Sequence, residues 1–294
     1  MSDVELSLSS LFVHPVKSCA GIAVDESLLI ETGLEFDRAW MVVDEMGGFV
    51  SQRELPRMAL IQPSLRTHDL LLRAPGMLGL HLALDAVEAP CRVRVWDDEV
   101  AAYDMVRLVR FDPEQRRLSS RQWTGALEAE NAFSDGFPLL VASTASLAEL
   151  NRRLAERGLP PVTMQRFRPN LVLDGLDAHG EDWLDEIVLD GPDGAVRLKV
   201  VKPCGRCTIP SVDPSRGEQG HEPGDTLSGY RPPPRSLVCG VCDCQPMAFS
   251  ILQRELFASR RGRATPGIVA SDNAAWSRRP GPRPHARPPS PLSR

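Results

Sequence analysis

The chain of 294 residues is 42% hydrophobic and 25% charged, which supplies apolar matter for two ordinary cores and excludes wholesale disorder. Its apolar runs, such as Leu139-Leu140-Val141-Ala142, fall far short of the roughly 20 residues that cross a bilayer, and MSDVELSLSS lacks a basic segment leading into an apolar one, so neither membrane insertion nor secretion is expected. The net charge of −5 hides a split, because residues 231–294 carry 11 Arg against three acids while the body is strongly acidic; nucleic acid is therefore not an expected partner.

From Leu6 to about Val106 the pattern is one of short β-like segments: residues 8–16, 21–30, 37–44, 47–53, 69–75 and 92–104, punctuated by Gly, Pro and Asp. No long helical period separates them, so a barrel or sandwich is expected over residues 1–125 rather than a βαβ fold. A strand candidate at 137–142 then precedes STASLAELNRRLAERG, where Leu147, Leu150 and Leu154 follow helical spacing. Ser146 and Glu149 have the form of a capping box, and Gly158 with Pro160 supplies the stop. Further strands are expected at 169–175, 186–191 and 195–203, the last delivering the chain into Cys204. The fold class is thus α+β and β-rich, with a mostly β first domain, 1–125, a mixed, β-rich second domain, 126–231, and a few helices. From 232 onward the sequence turns rich in Arg, Pro and Ser, with 11 of the 26 prolines in the last 64 residues, and reads as an irregular tail, disordered or the product of a frameshift.

Seven cysteines, an odd count without a leader, point to a reducing cytoplasm and to reactive or metal-binding thiols rather than a disulfide framework. Cys204-Gly205-Arg206-Cys207 follows a strand and has Lys202 and Arg206 beside it, a setting that favours thiolate. By itself it fits a thiophilic metal site, a redox dithiol or a plain turn. Cys239 and Cys242 could complete a four-thiolate zinc site, but the intervening 31 residues exceed the usual spacing. In QRFRPNLVL, Arg166 and Arg168 lie two apart, so an extended segment would aim both guanidinium groups one way, with the Asn170 amide close by, as a clamp for phosphate or carboxylate. Lysine is scarce, with only Lys17, Lys199 and Lys202, and Lys17-Ser18 sits in a turn between strand candidates. His14 reads as a packing residue, since no second His stands at ligand spacing.

The segments LSSLFVHPVKSCAGIAV, GLEFDRAWMVVD, FSDGFPLLVASTASLAELNRRL, RFRPNLVLDG, EDW and KPCGRCTIPSVDPSRGE follow one another in the order and spacing of MOSC-domain proteins. Over residues 5–231 the chain resembles the bacterial relatives of the mitochondrial amidoxime reducing component. The resemblance implies an N-terminal β-barrel domain followed by a MOSC domain, and a molybdenum cofactor (Mo-molybdopterin) lying between them. Cys207 would be the catalytic, metal-binding thiolate; Lys17, Ser18, Arg38, Arg168, Asn170 and Arg206 would hold the cofactor's phosphate and pterin; Cys204 would not be a ligand. The implied activity is two-electron reduction of small N-hydroxylated compounds to amines or amidines, with electrons from a separate redox protein. The alternative from another class is a molybdenum-cofactor or sulfur-carrier module that binds without turnover, as in the MOSC region of cofactor sulfurases; the chain shows no pyridoxal-phosphate sulfurase domain. A zinc-stabilised binding protein ranks last. The sequence departs from the family pattern in having Glu181-Asp182-Trp183 contiguous, and in showing no recognisable barrel-closing strand after Arg231.

Overall fold

The computed structural model describes residues 3–86, 89–104, 107–191, 194–205 and 207–231, together with the strands Leu237–Cys242, Phe249–Leu252 and Glu255–Ser259. Strand Asp3–Val13 is the hinge of the architecture. Its first half pairs with Glu255–Ser259 and its second half with Leu171–Asp174, both antiparallel. From Leu171–Asp174 the pairing runs through Leu139–Ser143, Leu237–Cys242, Gly194–Cys204, Glu186–Gly191 and Glu255–Ser259, then back to Asp3–Val13, so the ladder forms a closed circuit. The N-terminal strand therefore belongs in space to the sheet of the second half of the chain.

A bulge explains how that strand stays apolar on one face. Leu6 and Leu8 are buried, then Leu11 and Val13, a change of parity that alternation alone forbids. The register shift between Leu8 and Ser10 inserts the extra residue that restores the inward face. Those leucines pack with Leu139, Val141, Leu171, Leu173, Ile187, Leu189 and Leu198 in the main core. A second bulge lies between Val200 and Lys202, where Gly194–Cys204 leaves the sheet for the cleft described below.

The remaining strands of the first half form smaller sheets. Trp40–Val42, Leu108–Phe111, Asp98–Asp104 and Ala89–Val95 make an antiparallel four-stranded sheet over Met41, Val93, Val95, Val100, Val109 and Phe133. Gln62–Leu65, Asp69–Arg73 and Leu80–Ala83 form a meander. The architecture is the expected β-rich one with few helices. Two expectations fail locally. Residues 47–53 make only isolated bridges, Val43 with Phe49 and Gly48 with Arg94, because the chain turns at Ser51 into the short helix Pro56–Leu60. The helix Thr144–Glu156 is capped three residues earlier than expected: Ser143 accepts from Ser146 N, and the Ser146 hydroxyl is turned to the buried Glu181 carboxylate at 2.6 Å. Its stop is as read, with Gly158 in the left-handed region at φ +70°.

Strands past Arg231 correct the expectation of an irregular segment from residue 232. Leu237–Cys242 fills the gap between Leu139–Ser143 and Gly194–Cys204, and Glu255–Ser259 joins Asp3–Val13 to Glu186–Gly191. LVCGVC and FSIL hold apolar and β-branched residues and ELFAS apolar and aromatic ones, a signal diluted in the sequence by the surrounding Arg and Pro. Residues 260–294, the rest of the expected tail, lie outside the described residues.

Candidate active site

After Val13 the chain makes a tight turn whose backbone is fastened to residues 37–40. His14 N donates to Asp37 Oδ1 at 2.7 Å, Arg38 N to His14 O at 2.8 Å, and Lys17 N to Trp40 O at 2.8 Å. His14 Nε2 donates to the Pro169 carbonyl at 3.1 Å, tying this turn to the segment before Leu171–Asp174. Burial, with Arg168 and Arg38 adding to it, holds the His14 imidazole well below its ordinary pKa, so it is a neutral packing residue, as read from the sequence. Seven non-glycine residues among those described have positive φ, and Ser18 (69°), Arg38 (49°) and Arg168 (56°) are three of them. Backbone strain of this kind costs on the order of 1–3 kcal/mol per residue and gathers where geometry serves function.

These three strained residues line a cleft of about 990 Å³ together with Lys17, Asn170 and Cys207. Six of the seven expected site residues thus converge from four distant stretches of chain; the seventh, Arg206, lies outside the described residues. Arg38 bonds Asp37, donates from Nη1 to Asn170 Oδ1 at 3.0 Å and from Nη2 to the Arg168 carbonyl at 3.0 Å. Arg168 donates to the Cys19 carbonyl, and burial beside Arg38 lowers its pKa to about 10. Lys17 Nζ donates to Phe133 O at 2.8 Å and to Asp135 Oδ1 at 2.5 Å. Burial lowers the Lys17 pKa, and the Asp135 carboxylate opposes that shift.

Cys207 is exposed to the cleft, whereas Cys204 is half-buried. Two residues beyond the expected set complete this end. Asp135 pairs with both Lys17 and Arg53, the latter at 3.1 Å, and Arg53 lines the cleft with Cys207. Asp135 was visible only as the acid of FSDG, and Arg53 carries no sequence signal, since its role depends on a turn that brings it beside Asp135. Cys19 lies behind the cleft as a fully buried thiol pushed up to about 12, chiefly by desolvation, and is inert by that environment.

The expected Arg166–Arg168 clamp does not form. The helical turn Met164–Arg166 and the left-handed Arg168 break the extended run, so the two side chains separate. Arg166 pairs with Asp213 at 3.0 Å, and only Arg168 lines the cleft. Among the described residues, no group of three or more His, Cys, Asp or Glu gathers as a metal site. Cys239 and Cys242 sit on Leu237–Cys242, opposite Lys202 and Leu198 in the ladder.

The MOSC N-terminal beta barrel domain matches residues 5–109, and the MOSC domain matches residues 128–253. Mouse mitochondrial amidoxime-reducing component 1 is 34% identical over 250 residues, covering 76% of this chain and 71% of the relative. Bovine mitochondrial amidoxime reducing component 2 and human mitochondrial amidoxime-reducing component 1 are each 33% identical over 250 residues, covering 76% of this chain and 72% of each relative. Among the described residues no helix is long and apolar enough to cross a membrane. With both domains in order and a third of the residues shared along most of the length, the chain belongs to the MOSC-domain family of amidoxime-reducing components.

Proposed function

We propose that this chain is a molybdenum-cofactor-dependent reductase that converts N-hydroxylated compounds to amines or amidines, using electrons from a separate redox protein. The observation that carries the reading is the convergence of Lys17, Arg38 and Arg168 with the exposed Cys207 on one cleft.

The residues fit such a group. Arg168 is buried against Arg38 and, among the described residues, has a backbone carbonyl as its hydrogen-bond partner, so its charge is poorly compensated until an anion arrives. A forked guanidinium and the Lys17 ammonium suit a phosphate, the one bidentate and the other as a point charge. Cys207 offers a soft sulfur ligand on the same cleft. When bound, the molybdenum cofactor supplies the two-electron chemistry.

The chain's own work is binding and electrostatics. Arg38, Arg168, Ser18 and Arg206 would hold the phosphate and pterin. Asn170 spends its carbonyl oxygen on Arg38 and Leu140 N, and so acts by holding Arg38 in place. Arg53 lines the cleft with Cys207 and brings a guanidinium charge to that space. Asp135 fixes Arg53 and Lys17 at the border between their two tasks.

Protein made in molybdate-supplemented cells should contain near-stoichiometric molybdenum and reduce a simple amidoxime with a chemical donor. Cys207→Ser should abolish that reduction, and Cys204→Ala should retain part of it. Equal loss in both, or zinc in place of molybdenum, would overturn the reading. Full molybdenum without turnover under any donor would replace it by the carrier module.

A further inference from the structure

We propose that Lys202 and Trp123 form a subsite at the mouth of the cleft that selects planar aromatic N-hydroxylated substrates carrying an anionic group. This rests on the reductase reading above and adds the class of substrate to it.

The bulge between Val200 and Lys202 is the starting point, since an extra residue there re-aims Lys202 out of the alternation of its strand. Lys202 lines the cleft together with Phe137 and Cys207. Its Nζ stands 4.8 Å from the Trp123 ring and 5.8 Å from the Phe137 ring. Every other cation described in the cleft is engaged by protein oxygen: Lys17 by Asp135 and Phe133 O, Arg38 by Asp37 and Asn170, Arg53 by Asp135, and Arg168 by Cys19 O. Among the described residues Lys202 makes no ion pair with Asp135 or Asp225, the two carboxylates that line the cleft. Trp123, on the short helix Arg121–Thr124, keeps 40% of its surface exposed.

An ammonium resting on ring faces is held in position by the rings while its N–H donors stay available. The part-exposed indole beside it accepts a second planar ring at low entropic cost. A substrate with an aromatic ring and a carboxylate satisfies both at once. A cationic substituent there would meet Lys202 with no neutralising acid, so the same arrangement rejects it.

The test compares benzamidoxime, its 4-carboxy derivative and its 4-trimethylammonio derivative on the molybdenum-loaded protein. The carboxylate should have the highest kcat/KM and the cation the lowest. Lys202→Met should lower the carboxylate-to-neutral ratio about fivefold, and Lys202→Arg should preserve it. In the unmodified protein, raising salt to about 0.5 M should compress the same ratio, which needs no variant to fold. Binding of non-reducible 4-carboxybenzamide, followed by tryptophan fluorescence, should weaken in Lys202→Met and in Trp123→Leu relative to benzamide. Reduction that shows the same ratio in Lys202→Met and at high salt overturns the subsite and leaves the reductase standing. Absence of any reduction, with 4-carboxybenzamide still bound in a Lys202-dependent way, overturns the substrate assignment through the failure of the reductase reading itself.

Discussion

Asn170 Oδ1 accepts from Arg38 Nη1 at 3.0 Å and from Leu140 N at 3.1 Å, while Asn170 Nδ2 donates to Phe12 O at 3.2 Å. One amide thus ties three strand ends together and sets the direction of a cleft cation 132 positions away in sequence. Asn170 is 1% exposed, so each of those bonds is made out of reach of bulk water.

Asn170→Ala should therefore destabilise the protein by about 2–3 kcal/mol, because it orphans a buried N–H and a buried carbonyl as well as releasing Arg38. Urea unfolding measures the first effect and molybdenum per chain the second. Asn170→Asp keeps the acceptor for Arg38 but loses the donor to Phe12 O and brings a second carboxylate near Asp37, so its stability should fall too. Unchanged metal content in Asn170→Ala would count against Arg38 as a cofactor ligand.

Asp135 governs a pH effect. Burial alone would raise its pKa, but Lys17 and Arg53 together hold it well below the ordinary carboxylate range. A folded pKa below the unfolded one means that the stabilisation is present at neutral pH, persists down to about the unfolded value of 3.9, and fades as pH falls below that. The side chain is half-exposed, so solvent screening limits the contribution to about 1 kcal/mol. Asp135→Asn should be less stable by about that amount at pH 7, and the difference from the parent should shrink as the parent is acidified. A stability gap between the two proteins that is constant from pH 7 to about pH 3 would disprove the linkage.

Gly21 shows why one small residue sits beside the cleft turn. A Cβ built there would stand 2.4 Å from His14 Cε1 and 2.6 Å from its Nδ1. The ring cannot retreat, since it is buried and its Nε2 is bonded to Pro169 O. Gly21→Ala should cost about 1–3 kcal/mol through overpacking and displace the turn that carries Lys17 and Ser18. Thermal unfolding and molybdenum content should fall together; loss of neither would mean that the turn yields freely.

Much of the cleft was legible because its residues are charged or polar in segments that otherwise read as strands and turns: Lys17-Ser18, Arg38, Arg168-Pro169-Asn170 and the C-x-x-C. Their joint purpose was not visible in spacing, since Arg38 and Asn170 meet only through the pairing of Asp3–Val13 with Leu171–Asp174. Alternation located the strands Glu186–Gly191 and Gly194–Cys204 almost to the residue. It failed for Leu237–Cys242 and Glu255–Ser259, where the pairing is set by the gap between two other strands that each one fills. The Arg166 reading erred for a related reason: a two-residue spacing implies a shared face only if the backbone is extended, and Arg168 is left-handed.

The strands beyond Arg231 carry the sharpest consequence. Without them the circuit of pairing opens at two places, between Leu139–Ser143 and Gly194–Cys204 and between Glu186–Gly191 and Asp3–Val13. Four strand edges would then present unpaired N–H and C=O groups over an apolar core. A chain ending at Arg231 should be insoluble or expanded, whereas one ending at Ser259 should match the full chain in sedimentation, thermal unfolding and molybdenum content. The comparison separates the paired strands from the Arg- and Pro-rich residues that follow. A soluble, cooperative, molybdenum-loaded protein ending at Arg231 would show that the cleft is built without closure of the sheet, and that the register of Asp3–Val13 with Leu171–Asp174 alone suffices to bring Arg38 to Asn170.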